Sequence, residues 1–145
     1  MSNRIEVPDQ PLDEHRRAVM GPLTIFNASR GFPSDVQPVA ILLRGNAEEL
    51  VGGLWGKTGY GWLFVEFLVV PDELRGEGLG ASLLVKAEEI AKQRGCVGAW
   101  LTTFTFQAQA FYERLGYSVF ARLEESRSRT TASSSKSASL ERKLI

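Results

Sequence analysis

Early helices, an antiparallel hairpin group and then two strand-helix-strand units predict a mixed α/β (α+β) domain. Two observations carry that prediction. Apolar runs rich in β-branched and aromatic residues recur at residues 39–43, 50–55, 62–70 and 97–104. Between the last two of these the apolar spacing changes from the short period of a strand to that of an amphipathic helix.

The elements follow in order. A short strand is expected around Ile5 to Val7, before Pro8 and Pro11. Residues 12–30 have helical character interrupted by Gly21-Pro22, which predicts two short helices. Gly45-Asn46 between the runs 39–43 and 50–55 predicts a hairpin. Gly56-Lys57-Thr58-Gly59 reads as the next turn. The run 62–70 is apolar on both alternating faces, as in a central strand covered on both sides, and Glu66 is its one charge. In the following helix Leu79, Leu83, Ala87, Ile90 and Ala91 share a face, Lys86, Glu88, Glu89, Lys92 and Gln93 point away, and Gly95 supplies the stop. A strand over 97–104, a helix over 107–115 ended by Gly116, and a strand over 117–123 come next. Residues 124–139 are rich in serine, threonine and arginine and read as a loop or flap, with a closing strand over 140–145.

A chain of 145 residues is the size of one domain, 1–145, able to bury a core. Its 17 basic and 17 acidic residues cancel, so no overall field favours nucleic acid or an anionic membrane. Any polyanion has to be held locally. Cys96 is the one cysteine; it excludes an intramolecular disulfide, reads as a small buried hydrophobe and is compatible with a cytoplasmic location. Neither a signal peptide nor a membrane-spanning run is expected. His15 is the one histidine and reads as a solvated helix residue. No metal site and no Cys-His nucleophile is therefore expected.

Local anion chemistry is written at residues 71–82, Pro-Asp-Glu-Leu-Arg-Gly-Glu-Gly-Leu-Gly-Ala-Ser, between an apolar strand and a helix. Alternating glycines let backbone approach a ligand, and the N–H groups opening the helix are unpaired at the positive end of its dipole. Arg75 adds a planar donor fork suited to phosphate oxygens. Two other phosphate motifs fail on context. A dinucleotide fingerprint wants an acid about twenty positions on, at the end of the next strand, but Trp100-Leu101-Thr102-Thr103-Phe104 has none. A P-loop ending at Gly56-Lys57-Thr58 wants glycine where Val51 stands.

Arg75-Gly76-Glu77-Gly78-Leu79-Gly80, followed by Ala110-Phe111-Tyr112-Glu113-Arg114-Leu115-Gly116-Tyr117, resembles the GNAT superfamily of acetyl-CoA-dependent N-acetyltransferases. Val51-Gly52-Gly53-Leu54 is similar to that family's third strand, and the resemblance spans roughly residues 4–123. It implies a strongly bent mixed sheet flanked by helices, whose fourth and fifth strands splay to admit the pantetheine arm of acetyl-CoA. Leu68, Val69 and Val70 would then pair with the pantetheine amides. Arg75, Gly76, Gly78, Leu79 and Gly80 would surround the pyrophosphate. Thr105 stands where relatives carry a cofactor-contacting asparagine; it can cap a helix but offers no amide.

The resemblance implies direct acetyl transfer from thioester to a primary amine of a small molecule or peptide. Tyr112 is the candidate acid, since a neutral phenol can protonate a departing thiolate; its other role is to flank the core stripe of Ala108, Phe111 and Leu115. Glu66 is a candidate base if burial raises its carboxyl, or else a structural carboxylate paired with an arginine or a backbone donor. A non-catalytic acyl-CoA-binding module and an enzyme of longer acyl-CoA are the alternatives. By resemblance the acceptor site lies around Phe26 and the segment 124–139, and family members often dimerise.

Overall fold

A computed structural model describes residues 2–104, 107–124 and 136–144. It divides into two compact units, Met1–Ser34 and Asp35–Ile145.

The first unit holds one helix, α1 (Asp13–Ser29), with Pro22 inside it. The expected break at Gly21-Pro22 does not occur. Proline disfavours the helical region for its predecessor partly through that residue's Cβ, and Gly21 has none. The helix opens with Asp13 and Glu14 in its first turn, favourable for its dipole, and the Leu12 N–H donates to His15 Nδ1 at 3.0 Å. His15 is thus an end cap for α1. Ile5 and Val7 are exposed and form no strand, since their unit offers no partner strand among the described residues.

In the second unit β1 (Gln37–Arg44), β2 (Leu50–Gly59), β3 (Trp62–Val69), α2 (Leu79–Gln93), β4 (Gly98–Phe104), α3 (Gln109–Arg114), β5 (Ser118–Glu124) and β6 (Lys136–Lys143) follow one another. The six strands form one sheet in the order β1-β2-β3-β4-β6-β5. Only β3 and β4 run parallel, joined by α2; every other neighbouring pair is antiparallel. The sheet is mixed, as expected.

The first hairpin turns at Gly45, whose N–H donates to the Glu49 carbonyl. The second does not turn at residues 56–59, which remain in β2. Tyr60 and Gly61 make that turn, both at positive φ (49° and 84°), a conformation matched to the twist of a two-residue hairpin. The strand β6 starts at Lys136, ahead of the expected 140. Ala138 is small enough to be fully buried there, and Ser139 Oγ lies 3.1 Å from Thr102 Oγ1 on β4. Residues 136–139 are therefore strand and not flap, while 125–135 lie outside the described residues.

One face of β1, β2 and β3 packs against α2. Leu83, Leu84, Ala87 and Ala91 of the helix form a single buried cluster with Val39, Leu54, Leu63, Val65, Ala99, Leu101 and Leu140 of the sheet. Glu88, expected to point to water, is buried instead. Arg142 of β6 donates through Nη1 to both its oxygens, at 3.2 and 2.8 Å. Burial raises the Glu88 carboxyl above its ordinary range, and Arg142 opposes that rise. Burial and the neighbouring Glu88 carboxylate also push the Tyr117 phenol up.

Arg142→Met should therefore leave a buried carboxylate unpaired and cost about 3 kcal/mol at neutral pH. The raised folded pKa fixes the sign of its pH dependence. The folded state holds the Glu88 proton more tightly than the unfolded chain, so the variant loses stability as pH rises through the carboxylate range. Urea unfolding should show a larger deficit against the parent at pH 7 than at about pH 4. Equal deficits would mean that the pair contributes packing and not charge compensation.

Candidate active site

The parallel ladder between β3 and β4 runs from Trp62 opposite Gly98 to Val65 opposite Leu101 and stops. Both strands continue. The strand β3 stays paired with β2 as far as Val69, and β4 stays paired with β6 as far as Phe104. Two arms of one sheet therefore diverge from a fork at Val65 and Leu101.

A bulge sits at that fork. Trp55 faces Phe67 and Gly56 faces Val65, so Glu66 is the extra residue of β3, and such an insertion bends a strand and re-aims its side chain. Gly56 is required opposite it, because a Cβ there would collide with the Phe64 carbonyl oxygen.

The opening is a cleft of about 830 Å³. Its walls include residues 66–69 of β3 and Val70 just after it, Arg75, Gly76 and Gly78–Gly80 from the turn and α2, Thr102 and Thr103 from β4, and Phe111 and Tyr112 from α3. The backbone of β3 that faces β4 beyond Val65 has no ladder partner there.

At the cleft's far end Gly76 and Gly78 have φ of 86° and 76°, and Gly78 caps α2. A Cβ at either would meet nothing within 4 Å, so glycine is demanded by the backbone and not by space. The opposite holds at Gly80, where a Cβ would stand 3.1 Å from the Phe111 ring. The first helical bond of α2 joins the Ser82 N–H to the Gly78 carbonyl, at 3.0 Å. The N–H groups before it are left without intrahelical partners. Arg75 is anchored, donating through Nε to the Val70 carbonyl at 3.1 Å and pairing through Nη1 with Asp72 at 2.7 Å. The guanidinium is thereby fixed between the strand end and the turn.

Tyr112 is buried, edge-on to Phe111 and Tyr117 with ring centroids 5.1 and 6.0 Å away. It belongs to the core and lines the cleft at once. Burial raises its phenol above the ordinary value, which keeps it protonated. Glu66 differs from expectation in its surroundings. Its side chain is 28 % exposed, and its neighbour is Lys57, with Nζ 3.8 Å from Oε1, where an arginine or a backbone donor was expected.

Of the residues singled out by sequence, Glu66, Leu68, Val69, Val70, Arg75, Gly76, Gly78, Leu79, Gly80 and Tyr112 all line this one cleft. Thr105 lies outside the described residues, and Phe26 belongs to the first unit. Gln107 and Arg114 line the cleft but were not anticipated. Gln107 was assigned to the helix; in fact it precedes α3, and its Oε1 accepts from the Phe104 N–H at 3.0 Å and the Thr103 hydroxyl at 3.1 Å. An amide two residues beyond Thr105 was the available signal. Cys96 is buried as expected, and burial raises its thiol.

Residues 10–117 match the acetyltransferase (GNAT) family. An acetyltransferase of Agrobacterium fabrum is 40% identical over 104 residues, covering 72% of this chain and 76% of that protein. Blasticidin-S acetyltransferase of Streptomyces morookaense is 42% identical over 82 residues, covering 56% of this chain and 60% of its own. Among solved structures, an acetyltransferase fold from Agrobacterium tumefaciens superposes with a TM-score of 0.84 at 33% identity, covering 97% of this chain and 99% of that one. The chain belongs to the GNAT family. It is an acetyl-CoA-dependent acetyltransferase.

Proposed function

We propose that this enzyme moves an acetyl group from acetyl-CoA directly to a primary amine of a small molecule or peptide. The observation that carries the reading is the fork. It lies between a helix N-terminus built for an anion and a buried tyrosine, and its strand arm has backbone groups without a ladder partner.

Acetyl-CoA fits this geometry part by part. The β3 arm, Leu68 to Val70, would pair with the amides of the pantetheine. The N–H groups of Leu79 and Gly80, with Gly76, Gly78 and Arg75, would hold the pyrophosphate. The amine nitrogen attacks the thioester carbonyl carbon, and the carbon–sulfur bond breaks in the collapse of the tetrahedral intermediate. Glu66 takes the proton leaving the nitrogen, directly or through a water, and Tyr112 gives its proton to the departing thiolate. The amide and free CoA are the products. Support for an amine acceptor comes from blasticidin-S acetyltransferase, which shares 42% identity over its matched region.

Two substitutions separate binding from chemistry. Gly78→Asp should weaken acetyl-CoA binding at least tenfold by calorimetry, because a carboxylate would stand beside the pyrophosphate at the helix end. Gly78→Asn, which tolerates the same positive φ without the charge, should weaken it far less. Equal effects would assign the loss to backbone strain.

Tyr112→Phe should keep acetyl-CoA binding and lower kcat by about 10²-fold, since it removes the proton donor and leaves the packed ring. Free CoA release at saturating acceptor is the measurement. An unchanged kcat would leave Tyr112 as a core residue alone.

A further inference from the structure

All three tryptophans of the chain lie on the sheet face opposite α2. Trp55 on β2 is the register partner of Phe67 on β3, and the two are 47% and 63% exposed. Phe64 and Trp100 are partners across the parallel pair and stack with centroids 4.3 Å apart, one step before the fork. The Trp62 ring lies across Gly98, its register partner on the same face. Glu66, at the bulge, follows Phe64 by two residues, about 7 Å along the strand. An aromatic shelf therefore leads to a carboxylate at the mouth of the cleft.

The chain already seats ammonium groups on this shelf. Lys57 Nζ stands 5.8 Å from the Phe64 ring centroid and 3.8 Å from Glu66 Oε1, and Lys143 Nζ stands 4.6 Å over Trp62. Lys57 is a primary amine like an acceptor, and it is 47% exposed on a flexible stem, so a ligand can displace it. Aromatic faces and a carboxylate together attract a cation attached to a flat apolar body, and favour it over one wrapped in hydroxyl groups, whose desolvation the rings do not repay with hydrogen bonds.

We propose that this shelf receives the acceptor and that the acceptor is a primary amine carried on a flat aromatic body, its ammonium taking the place of Lys57 beside Glu66. The inference rests on the acetyl-transfer reading. The aromatic body lies on Trp55 and Phe67, and the nitrogen, once it has given up its proton, points through the fork to the thioester.

The test uses phenethylamine, n-butylamine and glucosamine as acceptors, with CoA release as the readout. Phenethylamine should have the highest kcat/KM, by about tenfold over either of the others. Phe67→Thr and Trp55→Thr keep strand-forming side chains and should raise its KM about fivefold with kcat little changed, and should raise the KM of the other two amines by clearly less. Lys57→Met should lower the phenethylamine KM, because it removes the internal competitor; a packing role for Lys57 would not do so. Turnover of amines without preference for the flat one, or without response to Phe67→Thr, overturns the inference and leaves acetyl transfer standing. In the absence of any turnover, saturable phenethylamine quenching of tryptophan fluorescence, weakened by Phe67→Thr, upholds the shelf and rejects the acetyl-transfer reading with these amines. No quenching rejects the shelf. A change of sedimentation with Phe67→Thr and no change of KM assigns this face to a second copy of the chain and also rejects it.

Discussion

The ladder that β3 and β4 do not complete is the constraint on which the site depends. Backbone N–H and C=O groups withdrawn from water need partners, and an unmet group costs about 1–3 kcal/mol. Past Val65 and Leu101 each arm lacks a ladder partner on the side facing the other, while β2 and β6 pair the opposite side. A cleft edged with unpaired strand backbone is a template for an extended, amide-bearing ligand. The bulge at Glu66 bends the arm away, and Gly56 lets the strands stay close behind it. The residue at the bulge is thus also the one whose carboxylate stands at the mouth of the fork.

Binding and reaction are divided between backbone and side chains. At the turn, Gly76 and Gly78 hold dihedrals that expose N–H groups, and Arg75 is the one side chain there with a fixed cation, held by Val70 and Asp72. With the formal charges of the chain in balance, the proposed attraction for a polyanion would have to come from this arrangement and not from a general field. Tyr112 and Glu66 face the opposite requirement. Tyr112 is held protonated by burial, whereas Glu66 keeps contact with solvent and with a half-exposed lysine. The proposed acid and the proposed base thus have unlike surroundings on two sides of the same fork.

What the sequence made legible is chemistry with short range. The glycine turn, the helix that follows it and the placement of Tyr112 after the next strand are each written within a dozen residues. The mixed sheet was legible too, because alternation and helical period switch in order along the chain. Features set by distant partners were not. Glu88 looked like a solvated helix residue because Arg142, its partner, lies on the last strand. The start of β6 at Lys136 was hidden in a serine-rich stretch, since a ladder against β4 and β5 needs only backbone and small side chains. The turn at Tyr60 was missed for another reason: a tyrosine at positive φ gives no compositional sign, and Gly56-Lys57-Thr58-Gly59 imitated one. The bulge at Glu66 is likewise invisible without the register of β2.

The central claim is that the fork and the adjoining helix end together form the acetyl-CoA slot. Amide hydrogen exchange with and without CoA tests it most directly, because the claim concerns backbone groups that lack partners. Protection gained at residues 66–70, the end of β3 and the residue after it, and at residues 76–81 of the turn and α2, with little change in β1 and β5, is the result the account predicts. Protection that leaves the β3 arm unchanged while CoA binds would contradict it.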